Sequence, residues 1–215
     1  MIEQEMYSDL KAATKGLKVT AIVSPSDLNG FFRILLLSEI SSGVIRDIDF
    51  LKREDEFKAI FMDYDPSLVY KKGRYLKVLD EILEHFKPER KSPYKEITQA
   101  ATKIARYLHT YQTLDDYKKA LYLECKDDES TLQFLLDFRK TSGLESMYLA
   151  KAGYVFQNSG LLDVPVVDIK AKEYLIPLFD LPNNNVILYK KMLMIAKKNE
   201  ITCHELNLRI DKLNK

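Results

Sequence analysis

Cysteine, histidine and glycine are scarce in this chain, and no long apolar run interrupts its charged residues. Its two cysteines among 215 residues, Cys125 and Cys203, lie far apart in sequence. Such sparse thiols suit a reduced, intracellular protein and exclude a four-cysteine iron–sulfur cluster. The histidines offer no zinc spacing, because Cys203 and His204 are adjacent and His85 and His109 have no matching partners. No metal and no cofactor is therefore expected. Nothing approaches the roughly 18 apolar residues a membrane span needs, and the first residues lack a signal-peptide pattern, so no membrane association is expected. Seven glycines and few alternating patterns leave little material for sheet.

What is present describes an ordinary soluble composition, 46% hydrophobic and 30% charged, in a chain long enough to bury a substantial core. The net charge of +1 does not announce a nucleic-acid binder. Its distribution is uneven: residues 1–70 carry 8 Lys/Arg against 12 Asp/Glu, residues 71–126 carry 13 against 8, and residues 127–215 carry 12 against 12. The middle third presents either a basic face to phosphates or a solvated helical surface.

Apolar residues recur at helical spacing nearly throughout, which predicts an all-α protein of roughly ten helices with short connections. Phe31 to Leu37 is apolar and leads into Ser38-Glu39-Ile40-Ser41-Ser42-Gly43, after which Val44, Ile48 and Leu51 resume the spacing. Phe57, Ile60 and Phe61 mark a short helix closed by Asp65-Pro66, and Leu76, Leu79, Ile82 and Leu83 share a face ending near Pro88. Ser92 is read as a cap followed by the first-turn Pro93, opening a helix whose stripe is Ile97, Ala101, Ile104 and Leu108. Thr113 with Asp116 has the form of a capping box, and Asp128 is placed to cap the helix of Leu132, Leu135 and Leu136. Asn183-Asn184-Asn185 precedes a helix with Ile187, Met192 and Ile195, and Thr202 with Glu205 makes a second box-like start. Residues 19–24 are the one candidate for a short strand. There is no internal repeat.

The functional reading rests on Ser146 to Leu175. Pro165 keeps the apolar run Val164-Pro165-Val166-Val167 from being helical; the run ends on Asp168, and a helix starts at Ile169. An Asp there serves as a cap for first-turn backbone amides. A polar turn, an apolar helix, Val-Pro-Val-Val-Asp and a further helix together resemble the catalytic segment of the helix-hairpin-helix DNA glycosylase superfamily. Ile34-Leu35-Leu36-Leu37-Ser38-Glu39-Ile40 onward resembles the early core helix and loop of those enzymes. Lys52-Arg53-Glu54 and Phe61-Met62-Asp63-Tyr64-Asp65-Pro66 resemble the 3-methyladenine DNA glycosylase I branch. Val155-Phe156-Gln157-Asn158-Ser159-Gly160, with Asp168 eight positions after Gly160, resembles archaeal-type 8-oxoguanine DNA glycosylase 2. Residues 195–208, closing on Glu205-Leu206-Asn207-Leu208, resemble the end of that family.

The resemblance implies an all-α, two-lobed helix-hairpin-helix DNA glycosylase-like fold spanning residues 1–215. Residues 70–165 would form the hairpin-containing lobe, and 1–69 with 166–215 the other. It further implies a monomeric, cofactor-free DNA glycosylase of the cytoplasm or nucleoid, flipping a damaged or modified base from duplex DNA and hydrolysing its N-glycosidic bond. Oxidised guanine is the nearest family substrate and alkylated purines the next. The alternative is a catalytically silent helix-hairpin-helix DNA-binding protein. A third reading, a helical interaction module without nucleic acid, follows from the near-neutral charge.

Asp168 is the implied catalytic carboxylate, and its other reading is a helix cap alone. Counted back from Asp168, the usual hairpin glycines are replaced by Ser146 and Tyr148; with a gap, Thr141-Ser142-Gly143 becomes the turn and retains one glycine. The lysine of strand-cutting members is replaced by Ala150 or, with the gap, by Glu145. Lys151 lies one residue off that register, either a Schiff-base nucleophile or a solvent-facing helical lysine. Hydrolysis without strand cleavage needs no such lysine. Ser146, Tyr148, Lys170 and Lys172 are the DNA-binding candidates, and Glu39 and Tyr154 the base-pocket candidates. Each has a plainer reading as a solvated side chain, and Phe156 is read as core.

Overall fold

The computed structural model describes residues 24–40, 47–88 and 91–213. Among them are twelve α-helices, one 3-10 turn at Met62–Tyr64 and no strand. The helices are α1 Leu28–Ile40, α2 Asp47–Lys52, α3 Glu54–Ile60, α4 Pro66–Lys72, α5 Tyr75–Phe86 and α6 Ser92–Leu108. They continue as α7 Leu114–Glu124, α8 Asp128–Ser142, α9 Leu149–Asn158, α10 Ile169–Phe179, α11 Asn185–Lys198 and α12 Cys203–Leu213. The all-α expectation holds. The candidate strand at 19–24 falls, but for Ser24, outside the described residues, as does the stretch 41–46.

Two compact units divide the chain between Tyr148 and Leu149, a boundary inside the expected 70–165 lobe. In the first unit α6 is the common partner of α1, α4, α5 and α8. Helices from both sides of residue 70 therefore share one core. The stripe read from the sequence is the reason: Ile97, Ala101, Ile104 and Leu108 are all fully buried. Helix α1, which packs on α6, buries Phe31, Phe32, Leu35 and Leu36. Burial of each such side chain is worth about 1.5–3 kcal/mol relative to exposure. Phe57 stacks between Phe50 and Phe86 with ring centroids 4.7 Å from each, closing the end of the unit that holds α2, α3 and α5.

Several helix starts follow the sequence and four expectations are corrected. Ser92 is already helical, and the N-cap position of α6 is Lys91. Thr113 Oγ1 accepts from the Asp116 amide at 3.1 Å and Asp116 accepts from the Thr113 amide at 3.2 Å, a complete capping box. For α8 the cap is Asp127 rather than Asp128. Asp127 has the extended backbone a cap requires (φ −149°, ψ 178°) and exchanges hydrogen bonds with Ser130, whereas Asp128 is already helical. Asp65-Pro66 opens α4 instead of only closing what precedes it. The Asp65 carboxylate accepts from the Ser67 and Leu68 amides at 2.8 and 2.9 Å, and Pro66 occupies the first turn. In α5 the buried face is Val78, Leu79, Ile82 and Phe86, and Leu76 points away from it.

The second unit, described over residues 149–213, packs α10, α11 and α12 pairwise and buries Val164, Val166 and Val167. Among the described residues no strand lies beside this extended run. Its backbone is held by side-chain amides: Asn207 of α12 accepts from the Val166 amide at 3.1 Å and donates to the Val166 carbonyl at 2.8 Å. Gln157 of α9 donates to the Val164 carbonyl at 2.7 Å and to Asn207 at 3.1 Å. Helix α9 comes so near that a Cβ at Gly153 would lie 2.9 Å from the Pro165 carbonyl oxygen. The start of α12 is capped twice, by Thr202 accepting from Glu205 at 3.0 Å and by Asp163 accepting from the Cys203 amide at 2.9 Å.

The close approach at Gly153 is open to direct test. Gly153→Ala should destabilise the protein by about 1–3 kcal/mol, the usual range for overpacking against backbone that cannot retreat, as read by urea denaturation. An unchanged midpoint would contradict the packing. Glu56 gives a pH signature. The Arg53 guanidinium, which donates to both its oxygens, and then His85 hold its carboxyl down from 4.5 to about 2. A carboxyl lowered on folding contributes stability above its unfolded value, which is lost as pH falls through the folded one. The difference in urea midpoint between wild type and Glu56→Gln should therefore shrink between pH 4.5 and about 2. A difference independent of pH across that window would show that the pair adds nothing, as exposed pairs often do.

Candidate functional site

Asp168 stands where the buried extended run meets α10. It is the N-cap of that helix, with Oδ1 accepting from the Ala171 amide at 2.8 Å. The capping reading is thus correct as far as one oxygen goes. The side chain is exposed, and Oδ2 takes no hydrogen bond among the described residues. One oxygen fixes the carboxylate while the other remains available for chemistry. The backbone leading to it is tied in turn by Asn207 and Gln157, whose side chains hydrogen-bond to Val166 and Val164.

The helix that Asp168 caps carries two cations. Lys170 is exposed and pairs with Asp211 at 3.4 Å, and Lys172 is half-buried in the same helix. Lys151 sits half-buried in the first turn of α9, and Tyr154, one helical turn further, is 56% exposed. Phe156 is fully buried, as its core reading requires.

The remaining candidates meet in the first unit. Glu39, in the last turn of α1, accepts from the Ser146 amide at 3.2 Å and from its hydroxyl at 2.5 Å. Nothing local in the sequence pairs residues 107 positions apart. They line a concavity of about 500 Å³ with Glu96, Gln99, Lys103 and Tyr148. Lys103 is bound to Glu145 at 2.8 Å, and the Arg139 guanidinium lies 4.5 Å over the ring of the exposed Tyr148. Three carboxylates, Glu39, Glu96 and Glu145, thus face one lysine in the lining. Thr141 and Ser142 end α8 and Gly143 is its left-handed C-cap at φ 72°, so the retained glycine closes a helix. The Ser146 donors that the resemblance would point at a DNA phosphate point at a carboxylate of the same chain.

Four contributors escape sequence reasoning. Gln157 and Asn207 position the extended run, and both lie in stretches that carry the resemblance, yet their mutual contact at 3.1 Å is tertiary. Arg74 and Arg106 line a second concavity whose only sequence signal is the basic excess of residues 71–126. Among the described residues no cluster of three or more His, Cys, Asp or Glu is placed to hold a metal ion. No family model matches the chain, and no curated protein or solved structure matches it.

The amide clamp can be separated from the carboxylate it positions. Asn207→Leu strands the buried Val166 amide and carbonyl and should cost about 2–4 kcal/mol in urea denaturation. Asp168→Asn keeps a competent cap and should change stability by less than about 0.5 kcal/mol. Equal losses from the two would mean that Asp168 is held for folding alone.

Proposed function

We propose that this protein is a monofunctional DNA N-glycosylase of the helix-hairpin-helix kind, with Asp168 as its catalytic carboxylate. The observation that carries the reading is the placement of Asp168, at the end of a rigid apolar run, capping α10 through one oxygen and leaving the other uncommitted. Loss of a base builds positive charge on the sugar, and a fixed carboxylate either stabilises that charge or activates the attacking water. An extruded nucleotide would meet Asp168 with Lys170 and Lys172 of α10 near its flanking phosphates and Tyr154 as a stacking surface. Lys151 is not needed, since hydrolysis without strand cleavage requires no amine nucleophile.

One observation favours a second reading, a helical interaction module without nucleic acid. The Ser146 amide and hydroxyl, the donors expected at a hairpin phosphate site, are both taken by Glu39. A phosphate approaching them would meet a like charge.

The deciding experiment measures base release from duplex and single-stranded oligonucleotides, each carrying one oxidised, alkylated or otherwise modified base, with wild type beside Asp168→Asn. Because asparagine also caps a helix, the variant removes charge without removing the cap. Release by wild type, reduced by at least about a hundredfold in Asp168→Asn, is the expected outcome for a group that stabilises a transition-state charge. DNA binding with no release from any substrate would establish a catalytically silent DNA-binding protein, and neither binding nor release would establish the second reading. Release that survives the substitution would remove Asp168 from the chemistry.

A further inference from the structure

Within the first unit, α4, α5 and α6 enclose a concavity of about 510 Å³, a volume usual for small-molecule sites. Its charged lining is entirely cationic. Arg74, at the N-cap of α5, and Arg106, in the last turn of α6, line it together with Tyr70, Tyr75 and Thr102, and no carboxylate does. Neither guanidinium has an ion pair among the described residues. The other described arginines are engaged: Arg33 with Glu54, Arg53 with Glu56, Arg209 with Glu205, and Arg139 over the Tyr148 ring. Two unpaired like charges facing one concavity are a destabilising arrangement that a bound anion relieves. Arginine is suited to phosphate because its planar donors meet two oxygens at once.

The aromatic part is equally ordered. Tyr70 is 48% exposed, and its ring stacks on His109 with centroids 3.7 Å apart and planes within 16°. His109 is anchored in turn, Nδ1 donating to the Arg106 carbonyl at 2.7 Å, which fixes the tautomer and the plane of the pair. The Tyr70 ring is therefore held beside an arginine that lacks a counter-ion. Partial burial raises the Tyr75 phenol above its ordinary value.

We propose that this concavity binds a nucleotide, its phosphate between Arg74 and Arg106 and its base against Tyr70. The recognised chemistry is a phosphate ester carrying an aromatic base, supplied either as an unpaired nucleotide within a strand or as a free nucleotide. Base stacking on an aromatic ring beside arginine-bound phosphate is how single strands are held without sequence preference. The site lies in the first unit, requires nothing of Asp168, and stands whether or not the protein excises bases.

The test is fluorescence anisotropy of a labelled oligothymidylate, with thymidine monophosphate as competitor and as a calorimetric ligand by itself. Arg74→Gln/Arg106→Gln should weaken strand binding about tenfold or more and flatten its salt dependence, by roughly 0.7 in log–log slope for each phosphate no longer neutralised. Tyr70→Leu should weaken it about fivefold or more while leaving the slope unchanged, which separates stacking from charge. Both variants should keep the wild-type urea midpoint, since the altered side chains are exposed or half-exposed. Lys118→Gln/Lys119→Gln, which removes the same charge from α7, should leave affinity unchanged. Tighter binding of the strand than of the monophosphate assigns the site to a nucleic-acid strand, and equal binding assigns it to a free nucleotide. The proposal is overturned if neither probe binds, if the arginine variant binds as wild type does, or if the lysine control is weakened as much. Base release is read separately from these affinities, so failure of the glycosylase reading would leave this result intact.

Discussion

The contact on which the second unit depends is the pair of amides that stand in for a neighbouring strand. Val164 to Val167 is extended and buried, yet nothing in the described chain pairs with it as sheet. Buried backbone groups without partners are costly, and here Asn207 satisfies both groups of Val166 while Gln157 satisfies the Val164 carbonyl. Gly153 allows α9 to lie against the same run. These few side chains decide where the run ends, and so where the carboxylate of Asp168 stands.

The first unit shows how little net charge says about local field. One of its concavities gathers Glu39, Glu96 and Glu145 about a single lysine, and the other sets Arg74 and Arg106 together without an acid. Summed over the chain these nearly cancel. The excess of cations in residues 71–126 is the averaged trace of the second arrangement, although other cations in that stretch, such as Lys72, Lys103, Lys118 and Lys119, are neutralised by carboxylates. What distinguishes Arg74 and Arg106 is that they line one concavity with no carboxylate in it, which is a property of the folded chain.

Legibility follows the range of the interaction. The Ile97–Leu108 stripe, the Thr113 and Asp116 box and the buried Phe156 are readable because each depends on residues within a few helical turns. Asp127 and its neighbour Asp128 can both be written into the same capping motif, and only the backbone dihedrals choose between them. Asp65-Pro66 reads as an ending because the short helix after it has no periodic stripe long enough to detect. The resemblance draws on residues 155–160 and 204–208, and Gln157 and Asn207 of those stretches touch, a contact that no spacing along the chain reveals.

The sequence by itself determined the helices, most of their caps, and the break at Pro165 that places Asp168 at the start of α10, since these are set by periodicity, backbone dihedrals and local hydrogen bonding. The tertiary structure alone decided that Glu39 receives the Ser146 donors, that Asn207 and Gln157 hold the extended run, and that Arg74 and Arg106 face one concavity unpaired. Those outcomes join residues separated by tens of positions. They depend on which buried faces meet, and a one-dimensional pattern carries no record of that.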